Sequence, residues 1–233
     1  YVIGSVELEE IADAEVYHGE GLDFKYGNFV REGDKFQLGT MELEVLETPG
    51  HTRESISITV KDKAVSDDVY MVFTGDALFA GETGRIDLYG EDQKESNASE
   101  LYESIHEKIL PLGDQVIMCP AHGAGSVCGA DIREQELTTL GYEKKTNEVL
   151  SYSKDEFVEY KINEKLYTPP YFKKMEELNL TGPQLLCKLP ALKVLGVSDF
   201  KAVMEDGAQI VDVRNPSSFG GAHIPNTLSI FKN

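Results

Sequence analysis

The sequence predicts an α/β fold whose functional residues lie in loops at the ends of strands. Three strand-like apolar runs each lead into a glycine-containing loop with a histidine or an aspartate, namely 41–46 before His51, 69–73 before Asp76 and 115–119 before His122. Catalytic metal sites gather nitrogen and oxygen ligands from distant parts of a chain, whereas structural zinc sites usually show closely spaced cysteine pairs. The three loops therefore predict a catalytic metal site at one edge of a sheet.

The predicted elements alternate between strands and helices. The predicted strands begin with a hairpin of 30–36 and 41–46 that turns at Gly39-Thr40, and continue with 55–60, 69–73 and 115–119. The predicted helices cover 97–110, 131–140, 153–166, 171–178 and 198–205, and a further buried strand covers 209–213. Apolar residues recur at every fourth position of the first helix, at Leu101, Ile105 and Ile109. Ser153 and Glu156 have the spacing of a capping box.

The composition limits the kinds of partner that the protein is expected to bind and the compartment in which it is expected to act. The 233 residues carry a formal net charge of -19 at pH 7, which opposes binding to nucleic acid or to an anionic membrane. No run approaches the roughly 18 apolar residues of a membrane-spanning helix. The three cysteines have no C-x-x-C spacing and predict a reducing, cytoplasmic location rather than a disulfide framework.

Three motifs resemble the metallo-β-lactamase superfamily. They are Thr48-Pro-Gly-His-Thr52, Phe73-Thr-Gly-Asp76 and Pro120-Ala-His-Gly123, which are similar in order and spacing to the later metal motifs of that family. Further stretches resemble the persulfide dioxygenases that are fused to rhodanese domains: 75–79, 84–87, 122–129 and 139–147. The resemblance implies a partial αββα sandwich of the metallo-β-lactamase type, followed by the start of a rhodanese-like α/β domain.

The resemblance also implies the metal ligands. His51 and Asp76, with a histidine that would precede Tyr1, would form a two-histidine, one-carboxylate face that binds one Fe(II) per chain. His122 would either bind the metal or lie beside it. Zinc, as one or two ions per chain, is the alternative, since Zn²⁺ accepts the same ligands. No catalytic residue is assigned beyond this metal site.

Three further residues are predicted to contact the substrate. The resemblance implies that Arg85 binds a carboxylate of glutathione, for which a guanidinium fork is suited, and the alternative is a surface pair with Asp87. Thr52 would donate a hydrogen bond to a substrate atom, or would cap its own loop. Cys128 would accept or relay a sulfane sulfur, or would be a small buried residue.

The family's first metal motif, H-x-H-x-D-H, is absent from the sequence. If Tyr1-Val-Ile-Gly-Ser5 is aligned with the end of that motif, the chain begins just after the first histidine ligand, and Tyr1 replaces the motif's last histidine. That histidine serves a second metal in binuclear relatives, so a tyrosine there favours a single metal. We therefore expect a chain that lacks one ligand and part of its sheet, and that has little or no activity by itself.

The C-terminal region resembles the start of a rhodanese domain. Ile210-Val-Asp-Val-Arg214 and the segment 219–225 are similar to the D-x-R and G-H-I-P features of that family, with Ala222 where glycine is usual. The nucleophilic cysteine loop would lie beyond Asn233, so no sulfurtransferase activity is assigned. The predicted domains are a catalytic domain over 1–166, a linker with a helix over 167–193 and a rhodanese-like portion over 194–233.

These features predict oxidation of glutathione persulfide, or of a related low-molecular-weight persulfide, by O2 to sulfite and thiol. One alternative is a glyoxalase II-like hydrolase that uses two metals to cleave a glutathione thioester. The other is an inactive fragment, or a module that binds sulfur compounds or partner proteins. The expected partners are a small-molecule persulfide or glutathione conjugate and O2. The oligomeric state stays open, and a homo-oligomer is compatible with the sequence.

Overall fold

The computed structural model describes residues 2–135, 137–189 and 191–231. The chain separates into two compact units, Tyr1–Leu186 and Cys187–Asn233. The predicted replacement of a histidine by Tyr1 falls outside the described residues. The predicted domain boundaries at 166 and 194 stay predictions.

The first unit is built around a mixed β-sheet. Its strands are β1 (Tyr17–Gly19), β2 (Asn28–Val30), β3 (Lys35–Leu38), β4 (Met41–Glu47), β5 (Ile56–Asp62), β6 (Met71–Gly75), β7 (Leu78–Phe79), β8 (Glu82–Thr83), β9 (Ile117–Pro120) and β10 (Thr138–Thr139). The main sheet has the order β10-β9-β6-β5-β4-β3, in which β6 and β9 run parallel and the other neighbours run antiparallel. Among the described residues of this unit, the remaining strands pair two by two, β1 with β2 and β7 with β8. The α/β class predicted from the sequence is confirmed.

Among the described residues of the first unit, five α-helices accompany the sheet. They are α1 (Ser5–Ala12), α2 (Lys94–Glu103), α3 (Leu140–Thr146), α4 (Lys154–Asn163) and α5 (Phe172–Thr181), and a π-helical segment, Ser104–Ile109, continues α2. The capping box predicted at the start of α4 is confirmed, because both reciprocal hydrogen bonds between Ser153 and Glu156 are present. Among the helices of the described residues, none has the length and apolar character that a membrane crossing requires.

The core of the first unit lies between the sheet and α2. Leu101, Ile105 and Ile109 are fully buried, as their four-residue recurrence predicts. They pack in one cluster with Val72 of β6 and Met118 of β9. Burying a side chain of this size stabilises the fold by roughly 1.5–3 kcal/mol. The cluster therefore holds the two strands whose ends carry Asp76 and His122 firmly against the helix layer.

The helix predicted over 131–140 is wrong. The structure has strand β10 in the second half of this range, and α3 begins only at Leu140. Thr138 pairs with Met118 of β9, and the side chain of Thr139 accepts a hydrogen bond from the backbone N–H of Tyr142 and so caps α3. Two consecutive threonines favour an extended backbone because they are β-branched. Pairing with the sheet edge then outweighs the helical spacing of the apolar residues.

The described part of the second unit contains two α-helices and two short strands. Its elements are α6 (Val197–Glu205), β11 (Val211–Asp212), α7 (Pro216–Gly221) and β12 (Leu228–Ser229). The helix predicted at 198–205 is confirmed, and β11, which pairs in parallel with β12, lies inside the strand predicted at 209–213. The burial predicted for that strand is wrong, since Val211 is 46% exposed and Val213 is 65% exposed. None of the described residues of this unit is buried. The unit therefore lacks a hydrophobic core of its own within the described part of the chain.

Candidate metal centre

Three loops that follow β4, β6 and β9 bring His51, Asp76 and His122 together. Nε2 of His51 lies 4.0 Å from Oδ1 of Asp76. Nε2 of His122 lies 3.1 Å from the same oxygen. One carboxylate oxygen thus faces both imidazole rings. The gathering of these three residues at one place was the main expectation from the sequence.

His51 is held in one orientation. The residue is 7% exposed, and its Nδ1 lies 2.8 Å from the backbone oxygen of Arg85. Since a carbonyl oxygen can only accept a hydrogen bond, Nδ1 carries the proton and Nε2 keeps a lone pair for a metal. Burial lowers the pKa of His51 and so favours the neutral ring, which is the form that binds a metal.

Two glycines allow other segments to approach the metal loops closely. Gly50 has a φ of +132°, and a Cβ atom there would lie 2.5 Å from Leu101 of α2. A Cβ atom on Gly84 would lie 2.0 Å from the backbone oxygen of Asp76. Any larger residue at either position would push the loop away from its neighbour. The glycines therefore let α2 and the segment around Arg85 support the site directly.

Asp76 and His122 form a charged pair. Contacts with Asp76 and then with Cys128 raise the pKa of His122 to about 10. Burial would raise the pKa of Asp76, but the contacts with His122, His51 and Cys128 together outweigh burial and lower it. In this arrangement Asp76 is ionised, as a metal ligand must be, and His122 would have to lose its proton before it could bind a metal.

Cys128 belongs to the same cluster. One ligand atom each from His51, Asp76 and Cys128 lie within 4.8 Å of one another. The backbone of Cys128 is held by two hydrogen bonds, from its N–H to Oγ of Ser126 at 3.2 Å and from the Arg85 N–H to its oxygen at 2.9 Å. The thiol is therefore part of the site and not of the apolar core, while its handling of sulfur stays a prediction.

Arg85 lies in the wall of the site and is 1% exposed. Its Nε and Nη2 donate to the two carboxylate oxygens of Asp87 at 2.6 and 2.8 Å. Nη1 donates to the backbone oxygens of Val127 at 2.9 Å and Tyr167 at 3.1 Å, and Nη2 donates to Oγ1 of Thr168 at 3.1 Å. A guanidinium has five N–H donors, and all five have protein acceptors here. The pair with Asp87, which the sequence left as an alternative on the surface, is present, but its arginine side chain is buried. The contact of Arg85 with glutathione stays a prediction.

Thr52 stabilises its own loop. Its Oγ1 lies 2.6 Å from Oγ of Ser55, and its N–H donates to the same oxygen at 3.2 Å. This is the loop-capping arrangement that the sequence left as an alternative. The side chain still lines the site, so a contact with the substrate stays a prediction.

All six predicted site residues line one cavity of about 630 Å³. Sequence reasoning missed the apolar residues of its wall, which come from distant segments: Leu22, Phe24, Leu88, Phe172, Met175 and Leu180. The helix predicted over 171–178 includes Phe172 and Met175, and α5 extends it to include Leu180, but no motif connects this helix to the metal loops. Apolar walls with a few convergent polar groups are typical of sites for small molecules.

The residues of the cluster fit a single metal ion. They combine a neutral imidazole, a carboxylate and a thiol, which are donors that iron and zinc accept. Oδ1 of Asp76 is buried and receives no hydrogen bond of normal geometry, although Nε2 of His122 lies 3.1 Å away. A buried carboxylate is costly unless a cation compensates its charge, which protonated His122 does here and a metal ion would do once His122 had lost its proton. His51 and Asp76 are therefore the best-placed ligands for such an ion.

Two relatives of known or assigned activity are similar to the chain. The mitochondrial persulfide dioxygenase ETHE1 of Bos taurus is 32% identical over 155 residues, which are 66% of this chain and 48% of that protein. The hydroxyacylglutathione hydrolase GloC of Haemophilus influenzae is 34% identical over 123 residues, which are 53% of this chain and 47% of that protein. The chain spans about half the length of these relatives.

Solved structures and a family model place the chain in a family. A metallo-beta-lactamase from Staphylococcus aureus subsp. aureus COL superposes with a TM-score of 0.80 at 30% identity, over 99% of this chain and 66% of that one. ETHE1 from Myxococcus xanthus superposes with a TM-score of 0.63 at 30% identity, over 77% of this chain and 71% of that one. The model of the Metallo-beta-lactamase superfamily matches residues 3–122, just over half of the chain. With the three loop motifs and the mixed sheet that presents them, these matches show that the chain belongs to the metallo-β-lactamase superfamily.

Proposed function

We propose that this protein is a mononuclear non-haem iron persulfide dioxygenase that oxidises a low-molecular-weight persulfide such as glutathione persulfide. The observation that carries the proposal is the convergence of the His51 imidazole, the Asp76 carboxylate and the Cys128 thiol in one cavity. The similarity to the persulfide dioxygenase of Bos taurus supports the same reaction. In the balanced reaction, RSSH, O2 and H2O give RSH, sulfite and two protons, so that the terminal sulfur is oxidised and O2 is reduced.

His51 through Nε2 and Asp76 through its carboxylate are the residues that would hold one Fe(II). The iron, when bound, supplies the redox chemistry with O2 that no side chain of the cavity can supply. The protein contributes a preset ligand orientation, because the carbonyl of Arg85 fixes the His51 ring. His122 holds the Asp76 carboxylate from the neighbouring loop.

The rest of the cavity would bind the persulfide and exclude water. Leu22, Phe24 and Phe172 line it with apolar surface, which suits the sulfur atoms of a persulfide better than a polar wall would. Cys128 is placed to accept or relay a sulfane sulfur. In that exchange, the Cys128 thiol and RSSH would give a Cys128 persulfide and RSH, with one S–S bond formed and one broken.

A two-metal thioester hydrolase is the second candidate. The similarity to the hydroxyacylglutathione hydrolase of Haemophilus influenzae favours it. Asp76 lies near both His51 and His122, and these three side chains would help to hold two ions, which would supply activation of water. The thiol of Cys128 beside these ligands supports the persulfide reaction instead, since sulfur transfer has no part in thioester hydrolysis.

The experiment that separates the two candidates measures bound metal and substrate turnover in the full-length protein. About one iron per chain and O2 uptake that depends on glutathione persulfide are expected for the dioxygenase. Two metals per chain, hydrolysis of lactoylglutathione and no O2 uptake would replace this proposal by the hydrolase.

We also propose that the second unit is a rhodanese-like portion and that the protein acts in the cytoplasm. In the second unit, Arg214 donates from Nη2 to Asp212 at 2.6 Å and to the backbone oxygen of Ala222 at 2.7 Å. This pair ties the D-x-R segment to the G-H-I-P turn that carried the resemblance.

All three cysteines are free, which supports a reducing compartment. The high negative charge supports small molecules as partners over nucleic acid or membranes.

A further inference from the structure

We propose that Arg85 is a positioning residue that holds the metal-binding orientation of His51 and the wall of the cavity, and that it is not a receptor for a carboxylate of the substrate. The inference rests on the proposed metal site, but it does not depend on which persulfide or thioester is the substrate. It departs from the role that the sequence implied for this arginine.

The guanidinium has no donor left for a substrate. Its five N–H groups all donate to protein oxygens, and the fork that would hold a carboxylate already holds Asp87. A substrate carboxylate would have to displace Asp87 from a side chain that is 1% exposed. That exchange would leave the displaced carboxylate beside the incoming one, and like charges at such a separation repel.

The backbone of Arg85 contacts both flanks of the proposed metal position. Its oxygen accepts a hydrogen bond from Nδ1 of His51 at 2.8 Å. Its N–H donates to the backbone oxygen of Cys128 at 2.9 Å. A shift of this single residue would therefore move the His51 ring and the Cys128 loop together. Partners of this kind, which orient a metal ligand through its second ring nitrogen, commonly decide metal affinity.

The side chain of Arg85 fixes that backbone and also anchors the cavity wall. Nη1 donates to the backbone oxygens of Val127 and Tyr167, and the ring of Phe172 lies 5.3 Å from the guanidinium carbon. Phe172 begins α5, which contributes Met175 to the cavity wall. Through its backbone and its guanidinium, Arg85 thus connects the loop of His51, the loop of Cys128 and helix α5.

A lysine could not replace Arg85 in this role. An ammonium group has three donors at one point, whereas Arg85 uses five donors spread over a planar fork. A receptor for a substrate anion would behave differently, because a positive charge alone would retain part of the binding. The comparison of Arg85→Lys with Arg85→Ala therefore separates positioning from charge.

The test measures Co²⁺ binding to the full-length protein without substrate, by competition with a chelator and by the visible absorption bands of the bound ion. Arg85→Ala and Arg85→Lys are both expected to bind Co²⁺ on the order of 10- to 100-fold more weakly than the wild type, with altered bands. The values of KM for glutathione persulfide, measured at saturating metal, are expected to change less than the values of kcat.

Arg133→Ala is the matched control. Arg133 also donates twice to a buried carboxylate, that of Glu143 at 2.7 Å, and to Oγ1 of Thr146 at 3.1 Å. It is expected to lower thermal stability while leaving the Co²⁺ bands unchanged. If Arg85→Ala does not fold, Arg85→Lys provides the measurement.

Three results would overturn the inference. Unchanged Co²⁺ affinity in the Arg85 variants, with a higher KM for glutathione persulfide, would make Arg85 a substrate receptor. An equal loss of Co²⁺ affinity in Arg133→Ala would reduce the effect to general destabilisation. Absence of Co²⁺ binding in the wild type would remove the proposed metal site and this inference with it, whereas binding without persulfide turnover would remove the proposed reaction only.

Discussion

The two units of the chain contain the same two kinds of contact, a histidine bonded to a backbone oxygen and an arginine–aspartate pair, in different surroundings. In the first unit, Nδ1 of His51 bonds to the backbone oxygen of Arg85, and Arg85 forms a bidentate pair with Asp87. The Arg85 side chain is 1% exposed and that of His51 is 8% exposed. Both contacts occur at the wall of one cavity.

In the second unit, Nδ1 of His223 lies 2.9 Å from the backbone oxygen of Phe219, and Arg214 pairs with Asp212. Here the arginine side chain is 51% exposed, and no described residue of the unit is buried. The contacts are the same in kind, but water screens them. The difference teaches that these two contacts are not enough to make a site. They contribute to one only where burial excludes water and where other potential metal ligands lie close by.

The largest expected effect is on bound metal. His51→Ala removes the best-placed nitrogen ligand, so we expect the iron content to fall from about one per chain to nearly zero. His223→Ala is the matched change in the second unit and should leave the iron content unchanged. Metal analysis of the purified variants checks both. Retention of the metal by His51→Ala would break the comparison, because the buried histidine would then be no more functional than the exposed one.

A methyl group at a crowded glycine is expected to have the next largest effect. In Gly84→Ala the new Cβ atom would lie 2.0 Å from the backbone oxygen of Asp76, so the loop must move, at a cost of about 3 kcal/mol in the free energy of unfolding. Gly220→Ala in α7 has no neighbour within 4 Å and should change stability by less than about 0.5 kcal/mol. Urea unfolding measures the difference, and equal values for the two variants would show that the Asp76 loop is not tightly packed.

The two arginine–aspartate pairs should differ in their contribution to stability. Asp87→Ala leaves the buried guanidinium of Arg85 without its carboxylate, and we expect a loss of about 2 kcal/mol, less than for a fully buried pair because Asp87 is 21% exposed. Asp212→Ala breaks a pair whose arginine side chain is 51% exposed, so water already solvates the guanidinium and the loss should be smaller than for Asp87→Ala. Thermal or urea unfolding of both variants gives the comparison. A larger loss for Asp212→Ala would contradict the view that burial decides the outcome.

The smallest expected effect is on how the free energy of unfolding falls at acidic pH. Burial would raise the pKa of Asp87, but the hydrogen bonds and charge of Arg85, with smaller contributions from the Asp87 backbone and Lys94, together outweigh burial and lower it. The folded state thus binds the proton less tightly than the unfolded state does. The stability from this pair is present above the unfolded pKa of about 4 and is lost as the pH falls through the lower folded value.

Asp87→Asn should therefore flatten the fall of stability below about pH 4, as followed by urea unfolding at a series of pH values. Asp212→Asn should flatten it less, since the exposed pair is screened. If the slope of stability against pH is unchanged in Asp87→Asn, then the pKa of Asp87 does not differ between the folded and unfolded states.

The elements of the fold could be predicted where local pattern and tertiary packing agree. The recurrence of Leu101, Ile105 and Ile109 predicts a buried helix face, and the Ser153 capping box predicts the start of α4. The helix predicted over 131–140 is wrong because the spacing of its apolar residues suits a helix, whereas its two threonines pair with the edge of the sheet. The spacing of residues within this range cannot show that β9 has an edge available for pairing, because that edge exists only in the folded sheet.

The site could be predicted as a set of residues but not as a set of contacts. The three loop motifs named His51, Asp76 and His122, and the resemblance added Arg85, Thr52 and Cys128, all of which line one cavity. The apolar wall from α5 was missed because its residues lie more than 120 positions from His51 of the first metal loop and form no motif with it.

By itself, the sequence determined the family, the α/β class and the residue types at the strand ends, because these depend on short motifs and local periodicity. Only the tertiary structure decided what each side chain contacts. It showed that Nδ1 of His51 is taken by a carbonyl, that Cys128 joins the metal cluster and that every donor of Arg85 is used. Hydrogen-bond saturation and burial depend on segments that are distant in sequence and meet only when the chain is folded.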